Sequence, residues 1–548
     1  MFFIMRLFSL LLIIGLLNFS GFSQTPQKEK AKLVVGIVVD QMRNDYIDRF
    51  WDRYSEDGFK RLVNEGYRFK NGHFNYVPTY TGPGHASIFS GTSPMNHGII
   101  GNNWFDKTTG ESVYCAGDPE IESVGTTDEA GKMSPHRMIV TSIADENRLA
   151  TQMRGKTIGI ALKDRGAILP AGHTANAAYW FHGKDEGRWI SSSFYMNALP
   201  NWVVTFNNSG KAASYFKTWD TLYPIETYVE SGSDQNNFAG GFKGKESATF
   251  PYDLQKLKAD NGNFELLKAV AYGNDLTTDF AMAAIDGEKL GQGTDTDFLT
   301  LSYSSTDYVG HNFGVNSKEI QDTYLRLDKN IADFLLFLDE KVGKDQYIVF
   351  LTADHAGVEV PAYLESVKIP AGYFDSKDFK TKVEDFVGKE YGDKNLVHNI
   401  SNNQVFFNYQ LLNEKKIEAA ELEGKLAAFI LVQDKIHRVY TRDQIVKGAF
   451  TKGVEEMIKN GFNHKRSGDL IYILEPAVIS YSRTGSTHGS AYVYDTHVPM
   501  LFYGKGVRKG NTARRSEIVD IAPTIANMLD ISFPNGTTGK PLYWMLEE

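Results

Sequence analysis

The chain has 548 residues, 42% apolar content, 50 glycines and a net charge of −9, which suits one large, elaborated α/β enzyme domain and excludes a disordered or fibrous chain. The acidic balance argues against general nucleic-acid binding, which relies on Lys and Arg neutralising phosphates, so any affinity for phosphate has to be local. Cys115 is the single cysteine; no intramolecular disulfide can form, and a small buried side chain is its expected role.

The N-terminus, MFFIMRLFSLLLIIGLLNFSGFSQ, carries one Arg, an apolar run from Leu7 to Leu17 and small polar residues to Ser23, the pattern of a secretory signal over residues 1–23. The apolar run is shorter than the roughly 20 residues a spanning helix needs. Export to the periplasm or the exterior is therefore expected, without a permanent membrane anchor.

The first predicted strand, LVVGIVVD over 33–40, ends on Asp40. Next comes YVPTYTGPGHASIFSG, a turn-rich stretch that places Thr81 just ahead of a helix start. The Thr81 hydroxyl is the candidate nucleophile: weak at neutral pH, it needs a divalent ion beside it to lower its pKa in place of a general base. Gly82, Pro83 and Gly84 allow a tight turn near an anion, and a helix N-terminus favours phosphate. Thr79 is a rival hydroxyl, His85 a supporting group, and a mere helix-capping turn the competing reading.

Further strands are predicted at 157–162, 298–305, 347–352, 470–474, 477–482 and 498–503. Such uninterrupted apolar runs suit a mostly parallel central sheet sandwiched by helices. The run at 298–305 leads to Asp307 and His311, the run at 347–352 to Asp354 and His355, and the run at 477–482 to His488. A helix is predicted from Asn316, opened by the capping box Asn-Ser-Lys-Glu and packed through Ile320, Tyr324, Leu327, Ile331, Leu335 and Leu338, with Asp322, Lys329 and Asp333 as solvated charges. Two stretches, about 170–265 and 358–470, lack strand and helix alternation and read as insertions above the site. The aromatics of YWFHGKDEGRWISSSFY and NALPNWV are read as packing rather than as a leaving-group platform.

Asp40, Asp307, His311, Asp354, His355 and His488 thus fall together at strand ends, where ligands gather in open α/β sheets. Six carboxylate and imidazole ligands suggest two divalent metal ions, and the mixture suits zinc above all.

Together VVDQMR, PTYTGPGH, GNNWFD with Asn102, LKDR with Lys163 and Arg165, STDYVGH, TADH, TGSTHG and DIAPTI resemble the alkaline phosphatase superfamily, nearest its phosphate-irrepressible, PafA-type members. The resemblance implies one metal on Asp307, His311 and His488, and a second on Asp40, Asp354, His355 and the Thr81 oxygen. It implies a phosphothreonine intermediate on Thr81, with Asn102, Lys163 and Arg165 holding the substrate oxygens. Two added cations favour phosphate monoesters over diesters. The expected protein is a secreted, monomeric alkaline phosphatase acting on small-molecule phosphate monoesters of broad leaving group. A phosphodiesterase or nucleotide pyrophosphatase on the same core, or an inactive metal- and phosphate-binding protein, are the alternatives. One departure is Ala356, where relatives often have Gly after the His; it removes no ligand.

Overall fold

Seven consecutive buried side chains build the strand Leu33–Val39 (β1), and a strand without a polar face has to lie inside a sheet covered on both sides. The computed structural model describes residues 29–184 and 186–547; the signal-like segment 1–23 lies outside the described residues. Residues Ala31–Glu548 make one unit.

The sheet containing β1 also takes Tyr67–His73 (β2), Ser123–Val124 (β3), Thr157–Ala161 (β4), Ala177–His182 (β5), Arg188–Ser192 (β6), Asp297–Tyr303 (β7), Tyr347–Thr352 (β8), His497–Gly504 (β9), Gly510–Thr512 (β10) and Ser516–Glu517 (β11). Their order is β10-β2-β9-β8-β1-β7-β4-β5-β6-β3, with β11 beside β2. From β8 to β5 all pairings are parallel, so the carboxyl ends of β8, β1, β7 and β4 share one edge. Strand β9 runs antiparallel to β8; its first residues, and the loop before them that carries His488, therefore return to that same edge.

The helices that matter to the site are Thr81–Ser90 (α1), Asp164–Ala171 (α2), Ser305–Phe313 (α3) and Lys318–Leu338 (α4). α1 packs on α2. α4 carries the expected apolar stripe, but its N-cap is Ser317, whose hydroxyl accepts from the Ile320 N–H at 3.1 Å. Glu319 does not close a capping box; it accepts the Tyr252 hydroxyl at 2.6 Å. Lys329 and Asp333 are exposed as expected, whereas Asp322 is fully buried. It accepts from Trp219 Nε1, the Tyr228 hydroxyl, the Leu222 N–H and Arg326 Nε, each at 2.7 Å, and so fastens the 219–228 segment to α4.

Residues 170–265 begin inside the central sheet, as β5 and β6, before turning to short helices and loops. Residues 358–470 fold largely around their own core, including Phe379, Val383, Leu422 and Leu426, against a four-stranded sheet of Val397–Ser401, Gln404–Phe407, Leu470–Leu474 and Ile436–Thr441. The strand predicted at 470–474 belongs to this second sheet. The one predicted at 477–482 shrinks to Val478–Ile479, paired with Gly372–Tyr373; the left-handed Ala477 (φ 57°), after Pro476, delays its start. Among the described residues no helix is long and apolar enough to cross a membrane.

Candidate active site

Asp40 follows β1, and its N–H donates to the Tyr303 carbonyl at 3.0 Å, locking the ends of β1 and β7 together. Asp307 and His311 lie one turn apart on α3, with His311 Nε2 at 3.2 Å from Asp307 Oδ1. His488 Nε2 approaches the same oxygen at 3.7 Å. The rings of His488 and His355 stack with centroids 3.4 Å apart. Hence the six residues that the sequence scatters from 40 to 488 occupy one pocket.

All three imidazoles are oriented through Nδ1. That of His311 donates to the Ser486 carbonyl at 2.7 Å, that of His488 to the Thr79 carbonyl at 2.7 Å and that of His355 to the Ala356 carbonyl at 3.0 Å. A carbonyl can only accept, so Nδ1 carries a proton and Nε2 is the nitrogen left to face a metal.

Among the described residues two groups of ligand atoms cluster closely enough to hold an ion: Asp307, His311 and His488, and Asp40, Asp307 and His355. Asp354 joins the second, its Oδ2 lying 3.4 Å from His355 Nε2, which is also 3.4 Å from Asp40 Oδ1. These three atoms are buried without any hydrogen-bond partner. Orphaned polar atoms converging on one point are costly unless a cation satisfies them, and oxygen and nitrogen donors of this kind fit a divalent ion.

The carboxylates are electrostatically uneven. Burial and the neighbouring Asp40 raise Asp354 well above the usual carboxylate range. Burial and Asp307 push Asp40 upward too, but Lys163 and His355 outweigh them and hold it low. For Asp307 the upward effect of burial is likewise outweighed by His311 and Lys163. Lys163, which caps α2, was expected at substrate oxygens; its Nζ instead lies 2.7 Å from Asp40 and 2.5 Å from Asp307. Two buried carboxylates this close need a cation between them, and Lys163 supplies one.

Thr81 is the first residue of α1 and is buried. Its hydroxyl makes no hydrogen bond among the described residues. Thr79 is different: its hydroxyl donates to the Ser490 carbonyl at 3.0 Å while its own carbonyl orients His488. His85 ties the turn to the pocket, with Nδ1 at 2.9 Å from the Thr81 carbonyl and 3.4 Å from Asp354 Oδ2. Burial lowers its pKa to about 4, so it is neutral and supporting, as expected. Gly84 is required for close packing, since a Cβ there would lie 2.2 Å from the Asp354 carbonyl oxygen.

Asn102 accepts the Gly82 N–H through Oδ1 at 2.7 Å, which leaves its amide N–H groups to donate elsewhere. Arg165 donates from Nη1 to the Tyr114 hydroxyl at 3.1 Å, and its buried Nε has no partner. Cys115 is buried, with its thiol pushed up to about 12 by desolvation, consistent with a packing role.

The profile of the family described as Type I phosphodiesterase / nucleotide pyrophosphatase matches residues 34–497. Alkaline phosphatase PafA of Elizabethkingia meningoseptica is 41% identical over 541 residues, 98% of each chain. The crystal structure of wild-type PafA superposes with a TM-score of 0.91, covering 94% of this chain and 99% of that one. The chain belongs to the alkaline phosphatase superfamily, with the PafA-type enzymes. A further relative, from Myroides odoratus, is 46% identical over 525 residues, 95% of each chain, and bears the name Calcium-transporting ATPase.

Several supports of this alkaline phosphatase site escaped sequence reasoning. Gln41 donates from Nε2 to Asp307 Oδ1 at 2.8 Å and from its N–H to Asp354 Oδ1 at 3.2 Å. It does so from a left-handed backbone, φ 59°. Gly310 makes room for it, because a Cβ there would lie 1.9 Å from Gln41 Oε1. Asp495 Oδ2 accepts from the Gly489 N–H at 3.1 Å, the Ser490 N–H at 2.8 Å and the Ser490 hydroxyl at 2.6 Å, holding the loop that presents His488. Gln41 adjoins a candidate ligand and Asp495 precedes β9 closely, but neither has a local pattern that announces its long-range partners.

Proposed function

We propose that this alkaline phosphatase hydrolyses small-molecule phosphate monoesters through a phosphothreonine on Thr81. It is secreted, acts as a monomer and accepts a wide range of leaving alcohols. The observation that carries the reading is the uncommitted Thr81 hydroxyl, set at the start of α1 in a turn tied through His85 and Thr79 to Asp354 and His488.

Asp307, His311 and His488 would hold one divalent ion, and Asp40, Asp354, His355 and the Thr81 oxygen a second, with zinc favoured by the donor set. Such ions, when bound, neutralise phosphoryl charge and lower the pKa of a hydroxyl beside them. Thr81 then attacks phosphorus in line with the departing alcohol, and water later releases phosphate from the threonine ester. Asn102 donates an amide N–H to a phosphoryl oxygen, and Arg165 adds paired donors. With divalent ions on Asp40 and Asp307, Lys163 would be free to place its charge on the substrate.

The family match to phosphodiesterases supports a second reading, diester hydrolysis on the same core. Lys163 and Arg165 favour the monoester, whose extra charge they can meet. Comparison of nitrophenyl phosphate with its methyl diester decides: the monoester is expected to be cleaved faster by orders of magnitude, and preference for the diester would overturn the assignment.

A further inference from the structure

In-line displacement separates the attacking and leaving oxygens. With Thr81 on the side of Asp40, Asp354 and His355, the alcohol departs on the side of Asp307, His311 and His488. Outside His311 the surface opens into a cleft of about 470 Å³, lined by Tyr308, Asn312 and Tyr481, by the buried Phe242 and Leu266, and by the polar Lys243, Asp260 and Glu265. Tyr481 stacks on the His311 ring with centroids 5.7 Å apart and planes 27° apart, and it remains 41% exposed. Of the aromatics picked out between 179 and 202, Tyr179, Trp180, Phe181 and Trp189 are buried, and Trp189 stacks on Phe280.

The cleft is built, not improvised. The Gly240 N–H donates to the Asn312 carbonyl at 2.7 Å, Asn312 Nδ2 to the Gly241 carbonyl at 2.9 Å, and the Gly485 N–H to the Phe238 carbonyl at 2.7 Å. The first two fasten the 240–242 segment to α3, the helix that carries Asp307 and His311; the third joins the chain just before it to the loop after Tyr481, which is itself tied to α3 by the Ser486 N–H donating to the His311 carbonyl at 3.1 Å. An aromatic face held in place before a ligand arrives binds a flat ring without first being ordered.

We propose that this cleft is a leaving-group subsite favouring phosphate monoesters whose alcohol carries a flat aromatic or nucleobase group, with Tyr481 as its stacking face. The proposal rests on the phosphomonoesterase reading above.

Adenosine 5′-monophosphate and ribose 5-phosphate release a primary 5′ alcohol from the same kind of phosphate and differ in the base, so their kcat/KM ratio on the metal-loaded full chain isolates the subsite. The wild type is expected to favour the nucleotide about tenfold, the scale of one base stacking on an aromatic ring. Tyr481→Leu should bring the ratio close to one, and Tyr481→Phe should keep it. A wild-type ratio near one, or a Tyr481→Leu ratio equal to the wild type's, overturns the subsite while leaving the phosphatase reading intact. Failure to hydrolyse either ester overturns both.

Discussion

At the scale of residues, the pocket separates groups that look alike in the chain. Thr79 and Thr81 are both buried hydroxyls two positions apart, yet Thr79 is committed to Ser490 and His488 and Thr81 is not. Lys163 and Arg165 are both cations at the start of α2, yet only Lys163 reaches the carboxylates. If Lys163 turns to the substrate as proposed above, Lys163→Ala should harm monoester hydrolysis more than diester hydrolysis, because the lost charge faces an oxygen that a diester has esterified; a difference of about tenfold or more in kcat/KM is expected. Equal losses on both substrates would remove Lys163 from the substrate.

At the scale of elements, α4 fastens the 219–252 segment through two buried carboxylates, Asp322 and Glu319. Burial raises the Glu319 pKa from 4.5 to about 8. The native state thus holds a proton that the unfolded chain releases above its ordinary pKa. Stability from this group is present below about pH 4.5 and declines as pH rises towards 8. Glu319→Gln imitates the protonated acid and should erase that loss, on the order of 1–4 kcal/mol. Thermal unfolding from pH 5 to pH 9 checks this: the melting-temperature gap between variant and wild type should move in the variant's favour as pH rises, and a constant gap would refute it.

These same elements show what was legible in the sequence. Asp40, Asp307 and Asp354 could be placed because each follows an apolar run that can only be an interior strand, and strand ends are local facts. Asp322 could not, because a charge on the polar side of an amphipathic stripe is buried only when a distant segment, here Trp219 to Tyr228, folds over it. The strand expected at 477–482 starts late for a local reason, the left-handed Ala477 after Pro476. Gln41 stayed invisible because its role depends on a positive φ and on the space left by Gly310.

At the scale of the whole molecule, ligands from residues 40 to 488 converge on one edge of the sheet, so cations bound there join the beginning of the domain to its end. An ion that binds only the folded state, at about a thousandfold above its Kd, adds about 4 kcal/mol per site. Chelation should accordingly lower the melting temperature by several degrees, and zinc should restore it in proportion to the metal rebound, approaching two ions per chain. A melting temperature indifferent to chelator and metal would separate these ligands from any cation.

The most direct test is to mix the metal-loaded enzyme with a phosphate monoester, quench in acid and locate the trapped phosphate by mass spectrometry. The account predicts one phosphoryl group on Thr81, absent from Thr81→Ala. Phosphate on Thr79, or steady turnover with no phosphothreonine under conditions where dephosphorylation is slow, would contradict it.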